Sequence, residues 1–151
     1  MKTSDIPNEM VLCILVSADS KNVLMQKKNK GPYPGKLNGF GGRVSINDES
    51  AKAAMYREMA EETNLSKDDL EYLEELVTLT YPNGIVLHVY SGRIKEGCDY
   101  IQVEDEELMW LRIESPSPVL IPDSPVFAGD GEIAYLVNFA LNIDKALRSQ
   151  C

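Results

Sequence analysis

The chain has 151 residues, 44% hydrophobic and 26% charged, with a formal net charge of -9 at pH 7. This is the length and composition of a single globular domain, expected to span 1–151 with a real core. No run approaches the ~20 apolar residues of a membrane-spanning helix, and the acidic balance argues against a protein that wraps nucleic acid. Residues 1–9 hold no apolar run of signal-peptide type, so a cytoplasmic location is expected. Cys13, Cys98 and Cys151 are odd in number and lack C-x-x-C spacing, which indicates neither a disulfide framework nor a zinc site. Cys13 reads as a core thiol and Cys151 as an exposed terminal one.

In chain order, 10–18 and 22–26 are β-type runs joined at Asp19-Ser20-Lys21, the pattern of a hairpin. Gly31-Pro32-Tyr33-Pro34-Gly35 is a turn-rich loop. Lys27, Lys28, Lys30, Lys36 and Arg43 make the most basic stretch of an acidic chain. It is either a solubilising loop or a local reversal of a field that would otherwise repel a polyphosphate. Leu37-Asn38-Gly39-Phe40-Gly41-Gly42-Arg43-Val44 follows, read as a glycine-rich turn where bare backbone approaches a ligand.

The densest chemistry lies in Arg57-Glu58-Met59-Ala60-Glu61-Glu62, on a helix expected to start near Asp48 or Ser50. At roughly 100° per residue, Glu58, Glu61 and Glu62 fall within an arc of about 100°. Like charges so crowded are unfavourable on a bare helix and become favourable around a hard divalent cation. Met55, Tyr56, Met59 and Ala60 supply a separate apolar arc for packing on a sheet. Ala51 and Ala54 fall on the acidic side, where small side chains would leave room for a polyphosphate.

Runs 73–81 and 85–94 flank Pro82-Asn83-Gly84, a strong hairpin signal. A short strand is expected at 108–113, then a proline-rich connection through 115–118 and 122–125. A closing helix over 132–147 follows from the spacing of Ile133, Leu136, Val137, Ala140, Leu141 and Leu147. The order is β-β-loop-α-β-β-β-α, and periodicity alone supports a mixed α and β domain.

Gly42, Glu49, Arg57-Glu58, Glu61-Glu62 and Leu65 together resemble the box of the Nudix hydrolases, which runs Gly-x5-Glu-x7-Arg-Glu-apolar-x-Glu-Glu-x-Gly-apolar and here covers 42–65. Two departures stand out. Six residues separate Gly42 from Glu49, one more than the pattern, and Asn64 replaces the later glycine. Asparagine is the next best residue for a left-handed helix cap. The extra residue is expected to bulge outward around 45–48, because a loop absorbs one residue at small entropic cost.

The resemblance implies a Nudix fold, an α/β/α sandwich with a mixed sheet. It further implies Mg²⁺ (or Mn²⁺)-dependent hydrolysis of a phosphoanhydride. The implied metal shell is Glu58, Glu61, Glu62 and the Gly42 carbonyl, with Arg57 orienting a glutamate. Glu106, from the acidic run 104–107, is a further candidate ligand, as some relatives recruit an acidic residue there. His88 reads as a structural histidine of its strand.

Beyond the box, Leu37-Asn38-Gly39-Phe40-Gly41-Gly42 resembles a Trp-Asn-Gly-Phe-Gly-Gly stretch of the MutT-type branch, which includes oxidised-purine nucleoside triphosphate pyrophosphatases of nucleotide-pool sanitation. Phe127-Ala128-Gly129-Asp130 lies where those enzymes carry Trp-Pro-Asp-Asp. By this resemblance Asn38 and Asp130 contact the edge of a base and Phe127 stacks on it; from the basic stretch, Lys28 and Arg43 are the candidates to bind the substrate's phosphates. Asp130 could equally cap the last helix. The implied reaction converts a nucleoside triphosphate to the monophosphate and pyrophosphate, with a nucleotide as the expected partner. The alternatives are hydrolysis of a nucleoside diphosphate-linked compound (ADP-ribose, a dinucleoside polyphosphate or capped RNA) and a nucleotide-sensing module without turnover.

Overall fold

The computed structural model describes residues 5–29, 31–113, 126–129 and 131–149. The expectations for Lys30, the proline-rich 115–118 and 122–125, Asp130 and Cys151 lie outside the described residues. Among the described residues the elements in chain order are β1 (Asp5–Val16), β2 (Asn22–Lys27), β3 (Leu37–Asn38), β4 (Phe40–Ser45), α1 (Ala51–Thr63), a 3₁₀ turn (Lys67–Asp69), β5 (Leu70–Thr80), β6 (Val86–Ile94), β7 (Leu108–Arg112) and α2 (Glu132–Arg148).

The seven strands form one mixed sheet ordered β3-β2-β1-β6-β5, with β4 added to β1 and β7 to β2. Strand β1 is its axis. One flank pairs in parallel with β6, from Glu9 with Val86 to Val16 with Arg93. The other flank is divided: Met10 to Cys13 pair with β4, and Leu15 and Val16 pair with β2. The sheet therefore forks where β4 and β2 diverge. Both expected hairpins form. Ser17 and Asn22 close the first, and Gly84, at a φ of 90°, turns the second between Tyr81 and Ile85.

The unbroken apolar run Val11–Val16 is buried throughout, as a central strand covered on both faces requires. On one face Val11, Cys13, Leu15, Leu24, Phe40 and Tyr90 pack with Met55 and Met59 of α1. On the other, Leu12, Ile14, Val16, Met25 and Val89 pack with Ile133, Leu136, Val137 and Ala140 of α2. The α/β/α sandwich is thus present. Cys13 is fully buried, and that burial pushes its thiol pKa up. Among the described residues, no helix is long and apolar enough to cross a membrane.

Two expectations about helix α1 are corrected. Ala54 is buried with Phe40 and Val44, so its small side chain lets the helix approach the sheet and does not clear a space for phosphate. Ala60, assigned to the apolar arc, is exposed.

The far end of α2 is tied to the sheet by a buried carboxylate. Asp144 accepts hydrogen bonds from Tyr72 Oη at 2.8 Å and Arg93 Nη1 at 3.0 Å, and also from Ser20 Oγ. Arg148 Nε approaches its other side at 3.4 Å. Removing a buried partner leaves cations without their charge, at a typical cost of about 3–5 kcal/mol. Asp144→Ala is therefore expected to lower stability by about that amount in urea unfolding, with Ser20→Ala losing roughly 1 kcal/mol.

Candidate active site

The glycine segment read as a turn is two short strands. Leu37 and Asn38 pair with β2, and Phe40 to Ser45 pair along β1. A pleated strand crossing so close to β1 cannot carry side chains everywhere: a Cβ on Gly41 would overlap the Val11 carbonyl. A Cβ on Gly42 would lie only 2.4 Å from Oε1 of the Glu58 carboxylate. Gly42 is thus where bare backbone and a helix-borne carboxylate meet.

Helix α1 starts at Ser50, whose Oγ accepts from the Ala53 amide at 3.0 Å. It stops at Asn64, held left-handed at a φ of 61°, with its amide on the Ala60 carbonyl. Arg57 ties this helix to the preceding loop. Its Nε and Nη2 fork onto the two carboxylate oxygens of Asp48, each at 3.0 Å, and Nη2 also reaches the Arg43 carbonyl at 2.9 Å. Its Nη1 contacts Glu58 at 3.0 Å and Glu61 at 3.2 Å. The fork holds the Asp48 carboxyl below its ordinary range.

Asp48 therefore takes the acidic place that the spacing had given to Glu49, which is exposed. Five residues separate Gly42 from Asp48, so the extra residue falls between Asp48 and Arg57. That spacing was readable in the sequence. The loop does project outward, with Ile46 65% exposed, and Ser45 and Asp48 close it by mutual backbone and carboxylate hydrogen bonds.

Glu58 and Glu62 are partly buried, whereas the Glu61 side chain is 51% exposed and turned to Arg57. Burial raises the Glu58 pKa against the opposing pull of Arg57. Burial likewise pushes Glu62 up to about 7, with Gln26 opposing and Glu58 adding. Gln26 Nε2 donates to Glu62 Oε1 at 3.2 Å. Glu62 Oε2 is buried without a hydrogen-bond partner among the described residues. Among these residues no three acidic, histidine or cysteine side chains stand close enough to enclose a metal ion as placed. Even so, an orphaned carboxylate oxygen, a second desolvated carboxylate and a bare glycine backbone beside it form the oxygen-rich donor set that a hard divalent cation takes.

Glu106 is engaged by Lys28 Nζ at 2.9 Å and by the Asn29 amide at 2.8 Å. Lys28, Gln26 and Gly42 help to line a cleft of about 500 Å³ that also takes in Glu132 and Ile133 of α2. Asn38 lines it, its Oδ1 accepting from the Gly39 amide at 2.8 Å. Phe127 does not line it. The residue is 4% exposed, held in the core by the bridge between Leu37 and Phe127. The aromatics in the cleft are Tyr33, from the turn-rich loop, and Tyr81, at the β5–β6 hairpin. Tyr81 donates to Glu132 at the start of α2, and its pKa is raised by burial and by that carboxylate. Gly131 occupies the N-cap of α2. Arg43 is exposed and lies off the cleft, and His88 stands between Glu9 (2.6 Å) and Glu75 (3.5 Å).

Gln26, Tyr33, Tyr81 and Glu132 were missed because their partners are far away in sequence. The one local signal was Gln26, a lone amide in the apolar run Val23-Leu24-Met25.

The NUDIX domain family matches residues 7–128. The chain belongs to this family and is a Nudix hydrolase. No curated protein sequence matches it. The solved structures that share its fold include the following three. A MutT/nudix family protein from Enterococcus faecalis is 23% identical with a TM-score of 0.61, over 76% of this chain and 47% of that one. The NUDIX domain of Shewanella oneidensis NrtR, complexed with ADP ribose, is 21% identical with a TM-score of 0.66, over 95% and 90%. A bifunctional NMN adenylyltransferase/ADP ribose pyrophosphatase from Francisella tularensis, complexed with AMP and a Mn ion, is 17% identical with a TM-score of 0.66, over 95% and 43%. The chain spans about half of the first and less than half of the third.

The raised Glu62 pKa makes a pH prediction. Between the ordinary 4.5 and about 7, the folded chain holds a proton that the unfolded chain has released, so stability falls as pH rises through that window. Without divalent metal, Glu62→Gln is expected to melt higher than wild type at pH 8, with the gap closing towards pH 4. Parallel melting curves across pH check this.

Proposed function

We propose that this Nudix hydrolase converts a nucleoside triphosphate with a purine base to the monophosphate and pyrophosphate. The supporting observation is that one cleft is lined by Tyr33, Tyr81 and Asn38 together with Gly42, Gln26 and Lys28, of which Gly42 and Gln26 stand against the Glu58 and Glu62 carboxylates. A flat apolar base and a polyphosphate need such neighbours in one cleft.

Glu58, Glu62 and the Gly42 carbonyl would hold Mg²⁺ or Mn²⁺, with Glu61 at the outer edge. The ion, when bound, shields phosphate charge and polarises the phosphoryl group under attack. Arg57 fixes the reach of Glu58 through its fork to Asp48. Lys28 supplies positive charge in the cleft, and release from Glu106 frees it for phosphate while making Glu106 available as a further ligand. Tyr33 and Tyr81 replace Phe127 as the base platform. Asn38 offers its amide to the base edge, and Glu132 can accept from a ring N–H. Asp130 remains a candidate for the same edge.

The NrtR and Francisella tularensis structures favour a second reading, in which the nucleotide is diphosphate-linked, as in ADP-ribose. Metal-dependent product release from a panel of purine, oxidised purine and pyrimidine triphosphates, ADP-ribose and dinucleoside polyphosphates separates the two. No turnover with any of them would favour nucleotide sensing.

With the preferred substrate, Glu58→Gln and Glu62→Gln are each expected to lose at least ~100-fold in kcat, the scale of one strong transition-state contact. Tyr81→Ala and Asn38→Ala are expected to lower kcat/KM for purine triphosphates by tens of fold, each lost stacking or edge contact being worth roughly 1–3 kcal/mol. Steady-state kinetics over the same panel provides the measurement.

A further inference from the structure

Strand β2 directs Leu24 into the core beneath α1 and, two residues on, Gln26 towards the C-terminal turn of that helix. Gln26 is 3% exposed. Its backbone is fixed on both sides, paired with Asn38 of β3 and Leu108 of β7, so its side chain leaves the sheet along one direction. An amide buried in an apolar strand is costly unless its polar atoms are used. Its Nε2 is used on Glu62 Oε1, at 3.2 Å.

The chemistry of that donor matters. A carboxylate has two equivalent oxygens and rotates about its last bond, so as a ligand it must be fixed before it can present one of them reliably. A lysine or arginine at position 26 would fix it by neutralising it and would compete with an incoming cation. A neutral amide fixes it and leaves its charge intact. Because Gln26 holds Oε1, the oxygen without a partner among the described residues is Oε2.

We propose that Gln26 is the positioning residue of the cation site: its amide holds one oxygen of Glu62 so that the other is presented, charged and desolvated, to the divalent ion. This rests on the reading that Glu62 is a metal ligand. It adds a requirement from β2, a strand outside the Gly42 to Leu65 box. The box therefore does not complete the site by itself, since one of its glutamates is oriented by a residue that only the fold brings to it.

The test is Mn²⁺ binding to the full chain without nucleotide, followed by electron paramagnetic resonance, for wild type, Gln26→Met, Gln26→Asn and Glu62→Gln. Methionine keeps the length and removes the donor, while asparagine keeps the amide and is one methylene too short to reach. Both are expected to raise the Mn²⁺ Kd roughly tenfold, the effect typical of removing a residue that orients a metal ligand. The Mg²⁺ concentration for half-maximal turnover should rise in parallel, with kcat largely recovered at saturating Mg²⁺. If both folded variants melt lower yet bind Mn²⁺ as wild type does, while Glu62→Gln binds it weakly, Gln26 is a packing residue and the proposal falls alone. If Glu62→Gln also binds Mn²⁺ normally, the metal reading of Glu62 falls and takes the proposal with it.

Discussion

The Arg57 guanidinium is the tie on which the site depends. It joins the start of the box, through the Arg43 carbonyl and Asp48, to Glu58 and Glu61, which follow it on the helix. Its planar fork matches a carboxylate with two parallel hydrogen bonds, a geometry that a lysine could not reproduce. Without it, the outward loop at 45–48 would have no fixed relation to α1, and Glu58 would face Glu61 and Glu62 with nothing to offset the repulsion. The extra residue between Asp48 and Arg57 is accommodated because the arginine reaches back across it.

Burial sets the electrostatic character of the carboxylates. On a solvated helix face Glu58 and Glu62 would be ordinary acids. Here the helix turns that face towards β4 and β2, so desolvation raises both pKa values and leaves one oxygen unsatisfied. Such a pair is poorly stabilised by protein alone and gains from a bound cation. The same arrangement reconciles a chain of net charge -9 with a polyphosphate substrate: the field is reversed locally, by the ion and by Lys28, and not by the overall charge.

The fork in the sheet brings binding and chemistry together. Because β1 gives up β4 and takes on β2 partway along its length, a cleft opens between the diverging strands, floored by apolar residues such as Leu12 and Leu87. It is also lined by Gly42 and Gln26, whose neighbours on α1 are Glu58 and Glu62, and by Tyr81 and the start of α2. The Asp144 clasp holds the opposite end of that helix to the sheet.

The sequence by itself determined the parts whose physics is local. The periodicity of α2, the Asn83-Gly84 hairpin, the start of α1 near Ser50 and its Asn64 cap each depend on neighbours within a few residues, and the structure contains them where the pattern placed them, whereas on α1 Ala54 and Ala60 fall on the opposite sides from those assigned. The glycine segment was misread as a turn because its strand character comes from pairing with β1, some thirty residues away. Phe127 was given to the ligand on the strength of its place in the chain, and the Leu37 bridge instead holds it in the core. Asp48 was within reach of the spacing from Gly42, yet choosing it over Glu49 needed the position of the Arg57 fork. Tyr33, Tyr81 and Glu132 were decided by the tertiary structure alone, and Gln26 by it beyond the one hint of an amide in an apolar run, because which polar or aromatic side chain meets a site depends on strand register and on the direction each residue leaves the sheet.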